Sequence, residues 1–169
     1  MTKKAGIIAV FLGVCLLTYL AVKESPSSSP QVTDAALSKL NDFDRGKLKG
    51  NHYLLHFWAK WCEPCAVEIP HLVEFARQVK TSKPLYVLAV SLDNTMEEAM
   101  EILPGQGKDL PPNFLLALDP EHRVAEALGS YQYPETYLVG PDGRILEKWI
   151  GAQPWKKPEV LQYFNSKLQ

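Results

Sequence analysis

Two cysteines three positions apart, Cys62 and Cys65, are the residues of this sequence best suited to chemistry. A thiolate is a nucleophile, and two thiols at this spacing can close a disulfide and reopen it. Their setting matters as much as the pair. Residues 53–58 (Tyr-Leu-Leu-His-Phe-Trp) form a short apolar run broken only by His56, the pattern of a buried strand. Beyond Cys65, the apolar residues Ala66, Val67, Ile69, Leu72, Val73, Phe75 and Ala76 fall at helical spacing. A strand that hands Cys-x-x-Cys to the start of a helix sets the first cysteine against free backbone N–H groups and the positive end of the helix dipole. Both stabilise a thiolate. The second cysteine lies one turn inward, within reach of the first. The pair reads as a redox switch in which exposed Cys62 attacks and buried Cys65 resolves. An inert structural disulfide is the poorer reading, because so short a loop gives little chain-entropy stabilisation.

Stepping outward from the pair, composition limits the alternatives. The chain has 169 residues, 46% of them hydrophobic, which suits one domain and a short extension. A formal net charge of −1 gives no reason to expect nucleic acid. The third cysteine, Cys15, sits in an apolar N-terminal stretch, so no disulfide framework is available to the domain. Structural zinc needs four ligands, and no two of His52, His56, His71 and His122 have finger-like spacing. No metal and no cofactor is expected.

Residues 5–22 carry no charge and follow Lys3 and Lys4. As a helix they would span ~27 Å, about the hydrocarbon thickness of a bilayer. Small residues at cleavage spacing are missing near the end of this stretch, and Val14 spoils a lipoprotein signal before Cys15. The expectation is a single anchor with its lysines in the cytoplasm; a cleaved signal is the alternative. Either way the cysteines lie outside the cytoplasm. Residues 1–22 are thus read as anchor or signal, 23–32 as a Ser/Pro linker, and 33–169 as the domain. Within it, short helices are expected over 33–40, 95–103 and 121–128, and strands over 85–91, 114–118 and 136–139. A tight turn at 141–143 joins the last to a hairpin strand over 144–150, and a closing helix runs over 156–168. The active-site helix should run from Cys62 to about Val79 with a kink at Pro70. Residues 41–51 read as a loop or weak hairpin, and 104–113 as a loop. The order is that of an α/β sandwich.

Trp61-Cys62-Glu63-Pro64-Cys65 behind Phe57-Trp58-Ala59, with Tyr133-Pro134-Glu135-Thr136 far downstream, resembles the thioredoxin fold, a central mixed sheet flanked by helices. Between Cys65 and Pro134 lie more positions than thioredoxins need; the surplus holds a helix and a strand near 95–118. That insertion, together with Glu68, Pro70 and the Pro-Glu-Thr run, is similar to the TlpA/ResA/CcmG (DsbE) group. Those are membrane-anchored, extracytoplasmic thiol–disulfide oxidoreductases, several serving cytochrome c maturation.

The resemblance implies a cis Pro134 against the cysteines, with Tyr133 aimed at the substrate chain and Trp61 shaping the surface beside Cys62. It also implies a Glu68 near the cysteines whose raised pKa lets it exchange a proton with Cys65. Substrates would be protein disulfides, among them apocytochrome c, and electrons would come from a membrane protein of the DsbD or CcdA kind. Glu63 opposes a thiolate beside it and leans the motif toward a reductant. His56 stands where thioredoxins carry a buried Asp. It reads first as a core histidine satisfied by one hydrogen bond, and second as a proton acceptor for Cys65. A copper-binding or copper-site assembly factor for a respiratory oxidase is the competing function, since two thiolates and a histidine can hold Cu(I). A peroxidase would need Pro-x-x-x-Thr-x-x-Cys, which is absent.

Overall fold

The computed structural model of the chain describes residues 31–40 and 43–168. The proposed anchor at 1–22 lies outside them. Among the described residues no helix is long and apolar enough to cross a membrane.

Five strands make one mixed sheet in the order β3-β2-β1-β4-β5. They are β1 (His52–Trp58), β2 (Leu85–Ser91), β3 (Phe114–Leu118), β4 (Glu135–Val139) and β5 (Ile145–Ile150). β1 takes the centre, parallel to β2 and antiparallel to β4. Six of its seven residues are buried, which explains the near-continuous apolar run: a strand covered on both faces has no polar side to show. The helices are α1 (Asp34–Leu37), α2 (Glu63–Gln78), α3 (Met96–Met100), α4 (Arg123–Ala127) and α5 (Pro158–Lys167).

On one face of the sheet Phe57 meets Tyr137 edge-on at 6.1 Å, and the Tyr137 hydroxyl donates to the Leu128 carbonyl where α4 ends. On the other face, Phe75 of α2 packs at 5.2 Å from Phe164 of α5, which in turn meets Trp149 of β5 at 6.0 Å. Trp149 stands opposite Thr136, and Thr136 opposite His56, so His56 looks toward α2 and α5. The expected helix–strand insertion is present as α3 and β3, with β3 added in parallel to the edge of β2.

α2 runs over the expected stretch, with Cys62 as N-cap, Val79 as C-cap and Pro70 inside it. Other expectations need correction. The short helices are shorter than their apolar patterns suggest; a single 3₁₀ turn, Arg45–Lys47, lies in the first expected loop, and in the second the chain turns over Pro104–Gly107 through left-handed Gly105 and Gln106. Gln31 and Val32, read as linker, belong to the folded body. Gln31 bridges Arg144, and the Val32 N–H donates to the Gly143 carbonyl at 2.8 Å with its side chain buried. Gly143 is required there: its φ is +81°, and a Cβ would lie 2.7 Å from the Val32 carbonyl oxygen.

α4 is only five residues long and starts after His122, whose φ of 55° is left-handed. Its first turn is closed by buried Asp119, whose Oδ2 accepts from the N–H groups of Val124 and Ala125 at 2.8 and 2.9 Å. Replacing Asp119 with Ala should therefore lower stability by about 1–2 kcal/mol, read as a reduced urea midpoint at unchanged slope. An unchanged midpoint would show that this cap contributes nothing.

Candidate active site

Strand register gathers the site at one end of the sheet. Trp58 pairs with Ser91 and Phe57 with Glu135, so the C-terminal ends of β1 and β2 and the start of β4 lie side by side. The Cys-x-x-Cys motif leaves the first of these and the Tyr133-Pro134 loop enters the last. Residues 59–62 form a turn closed by the Cys62 N–H donating to the Ala59 carbonyl at 3.2 Å. Cys62 is the N-cap of α2, and Pro64 sits in its first turn, where a missing N–H costs nothing. Cys62 and Cys65 are joined as a disulfide with Cα atoms 5.2 Å apart. Cys62 is 7% exposed and Cys65 fully buried, so the first is the more accessible of the two. Glu63 projects into solvent.

Trp61 is 62% exposed and meets Tyr133 edge-on at 6.2 Å, which joins the cysteine turn to the proline loop. His122 stands at 6.3 Å on another side of Tyr133. The Tyr133–Pro134 peptide is cis, as the resemblance implies. Its loop is held from several directions. The Gly151 N–H donates to the Pro134 carbonyl at 2.8 Å, and the Tyr133 hydroxyl to the Ser130 carbonyl at 3.1 Å. Beside Pro134, buried Glu135 accepts from Lys148 through one oxygen and from the Ser130 hydroxyl through the other.

Glu68 lies one turn beyond Cys65 and is almost wholly buried. Its Oε1 accepts from the Gln153 N–H at 2.8 Å and from the Trp155 indole N–H, while Oε2 has no partner among the described residues. Burial pushes its pKa up to about 7, against the opposing pull of those two donors. His56 is fully buried, with Nδ1 2.9 Å from the Thr136 hydroxyl. Burial holds its pKa down at about 3, so the ring is neutral across the working range. One ring nitrogen is thus engaged, Nε2 has no partner among the described residues, and the low pKa leaves the ring little basicity with which to take a proton from Cys65. Trp58 is core, and its indole nitrogen has no partner among the described residues.

A redox cysteine pair at a helix start, facing a cis-proline loop across the end of a five-stranded mixed sheet, defines a dithiol–disulfide protein of thioredoxin fold. Residues 26–148 match the model of the AhpC/TSA family, and the chain belongs to that family. It is 28% identical to the thiol-disulfide oxidoreductase ResA of Bacillus subtilis, over 88% of this chain and 84% of the relative. It is 30% identical to a DsbE homolog, a thiol:disulfide interchange protein of Paracoccus denitrificans, over 96% and 90%. The solved structure of StoA from Bacillus subtilis superposes with a TM-score of 0.56 at 21% identity, over 68% of this chain and 83% of that one, and shares the fold. The chain is a thiol–disulfide oxidoreductase of the ResA and DsbE kind.

Sequence reasoning passed over Trp155, Gln153, Ser130 and Asp93. Only Asp93 left a local trace, a Ser-x-Asp at the end of an apolar strand. Gln153 and Trp155 reach Glu68 from far along the chain, and Ser130 lies within the proline loop itself.

Burial of Glu68 has a measurable consequence for stability. Its folded pKa lies above the ordinary carboxylate value, so its contribution is fully present below about pH 4.5 and is lost as pH rises through about 7. His56 acts in the opposite sense, losing stability as pH falls from about 6.5 toward about 3, and masks part of this slope. The comparison to make is therefore oxidised wild type against Glu68→Gln. Wild type should lose stability relative to the variant by a few kcal/mol between pH ~4.5 and ~7.5. Parallel curves would mean that Glu68 titrates as an ordinary surface acid.

Proposed function

We propose that the chain is a membrane-tethered dithiol reductant acting on protein disulfides outside a bacterial cytoplasm, in the service of cytochrome c maturation. The carrying observation is the division of labour in the pair. Cys62 is reachable at the start of α2, and Cys65 is sealed one turn from a carboxyl poised near neutrality.

The cycle balances without any cofactor. The Cys62 thiolate attacks one sulfur of a substrate disulfide; a mixed disulfide forms and the other substrate sulfur leaves as a thiolate, which takes a proton from solvent. Cys65 then gives up its proton, attacks the Cys62 sulfur and frees the second substrate thiolate. Ionised Glu68 accepts the Cys65 proton on Oε2, the oxygen left without a partner. Two electrons have passed to the substrate, and the chain ends as the Cys62–Cys65 disulfide, the state seen here. Trp61, Tyr133 and Pro134 dock the substrate segment. A membrane donor of the DsbD or CcdA kind would reduce the pair again. In the copper reading the two thiolates would need a third ligand, and buried His56, whose Nδ1 lies against the Thr136 hydroxyl, keeps Nε2 without a partner among the described residues; copper affinity of the reduced chain separates the two readings.

The direction of transfer is tested by equilibration with glutathione. The pair should have a potential nearer that of thioredoxin, ~−270 mV, than that of DsbA, ~−120 mV. A value near the latter would make the chain an oxidant.

The substrate is tested with Cys65→Ser, which removes the resolving thiol and should leave partners attached to Cys62. Material captured from membranes, eluted with reductant and identified by mass, should include apocytochrome c or a component that handles it. Recovery of copper-oxidase subunits alone would overturn the cytochrome assignment and keep the chemistry. No capture by an accessible Cys62 would remove protein disulfides as the substrate class.

A further inference from the structure

We infer that Asp93 is a positioning residue for the nucleophile: its buried carboxylate holds the turn that carries Trp61 and Cys62. The inference builds on Cys62 as the attacking thiol. β1 and β2 run in parallel to their ends, and the last bond between them is the Leu92 N–H donating to the Trp58 carbonyl at 2.9 Å. Beyond it β1 turns away, and no strand remains to pair with its next amide. Asp93 fills that place. Both carboxylate oxygens accept from the Lys60 N–H, Oδ1 at 3.1 Å and Oδ2 at 2.9 Å. Lys60 is the second residue of the turn that the Cys62 N–H closes onto Ala59.

The carboxylate is itself fixed. It is 3% exposed, its Oδ2 accepts from the Ser91 hydroxyl at 2.7 Å, and its own N–H donates back to that hydroxyl at 3.0 Å. A second tie acts from outside, where the Lys60 ammonium pairs with Glu101 at 2.5 Å. Ser91 and Asp93 thus carry the rigidity of β2 into the cysteine turn, and set how the Cys62 sulfur meets the first N–H groups of α2. Thiolate stabilisation at a helix start depends on that alignment.

Two effects of Asp93 on Cys62 have opposite signs, which makes the inference testable. As a positioning group it lowers the Cys62 pKa by holding the turn; as a nearby negative charge it would raise it. The other charged groups around the turn are Glu63 on α2, Lys60 with Glu101 and Glu98 of the α3 region, and buried Glu68; none is altered in Asp93→Ala or Asp93→Asn.

The experiment is iodoacetamide alkylation of the reduced full chain across pH, with Cys62 and Cys65 quantified separately by peptide mass. In Asp93→Ala the Cys62 profile should move to higher pH, and attack on a model protein disulfide at neutral pH should slow on the order of tenfold. Asp93→Asn keeps an acceptor for the Lys60 N–H and removes the charge, so its profile should not rise. A Cys62 profile in Asp93→Ala that stays in place or falls would overturn the inference, whatever the loss of thermal stability, and so would an Asp93→Asn profile that rises with it. Should Asp93→Ala not fold, Lys60→Pro deletes the donor of the same bond, and Lys60→Ala controls for the lost Glu101 pair. The same rise is expected in Lys60→Pro alone. Failure of the nucleophile assignment would show separately, as Cys65 alkylating first in the wild type.

Discussion

A chain that leaves the middle of a sheet must find new partners for backbone groups that the ladder no longer serves, and this site is built on how that is done. β1 is buried almost throughout, so the groups at its exit cannot simply turn to water. Its last ladder carbonyl is taken by Leu92 and its next amide by Asp93, and the following residues close a turn into α2. The helix then begins with its own unserved N–H groups beside Cys62. One end of the sheet thus supplies both the precision that nucleophilic attack needs and the partial positive charge that favours a thiolate. The opposite wall obeys the same constraint. Pro134 comes ahead of β4, and Gly151, Ser130 and the Glu135–Lys148 pair hold the segment that the ladder does not reach.

Buried carboxylates recur around this site, and their environments differ. Asp93 and Glu135 are satisfied on both oxygens, by backbone, hydroxyl or ammonium donors. Hydrogen bonds to a charged acceptor stabilise the ion and suit a structural group. Glu68 is satisfied on one oxygen only, and desolvation outweighs its two donors. A carboxyl in that position is divided between its two protonation states near neutral pH. Asp93 and Glu135 are thereby suited to holding structure, and Glu68 to exchanging a proton, within one small region.

The central strand, the Cys-x-x-Cys helix and the proline loop were legible because each is written in consecutive residues. An apolar run, a paired thiol and a Tyr-Pro-Glu-Thr carry their meaning locally. The insertion of α3 and β3 was legible as surplus length between Cys65 and Pro134. What the sequence hid depends on chain segments far apart. Trp155 reaches Glu68 across 87 positions and Asp93 reaches Lys60 across 33, and neither distance has a periodicity to reveal it. Val32 looked like linker because it follows closely on a Ser/Pro run; the glycine turn at 143 makes a site for it. The sharper reading of His56 loses ground to desolvation. A histidine on a strand covered on both faces has no counter-charge, and its ring stays neutral.

The partition of burial also bears on how the pair exchanges protons. Cys65 is fully buried, and burial disfavours a charged thiolate, so attack by its sulfur calls for a nearby proton acceptor. In the proposed cycle that acceptor is Glu68, one turn along α2. When a donor reduces the disulfide again, Cys65 must regain a proton in the same closed space, and a group near pKa 7 can return one. A carboxylate with an ordinary pKa would take the proton poorly, and one much more basic would not release it. The pair can then be discharged by one protein and recharged by another without opening the core to water.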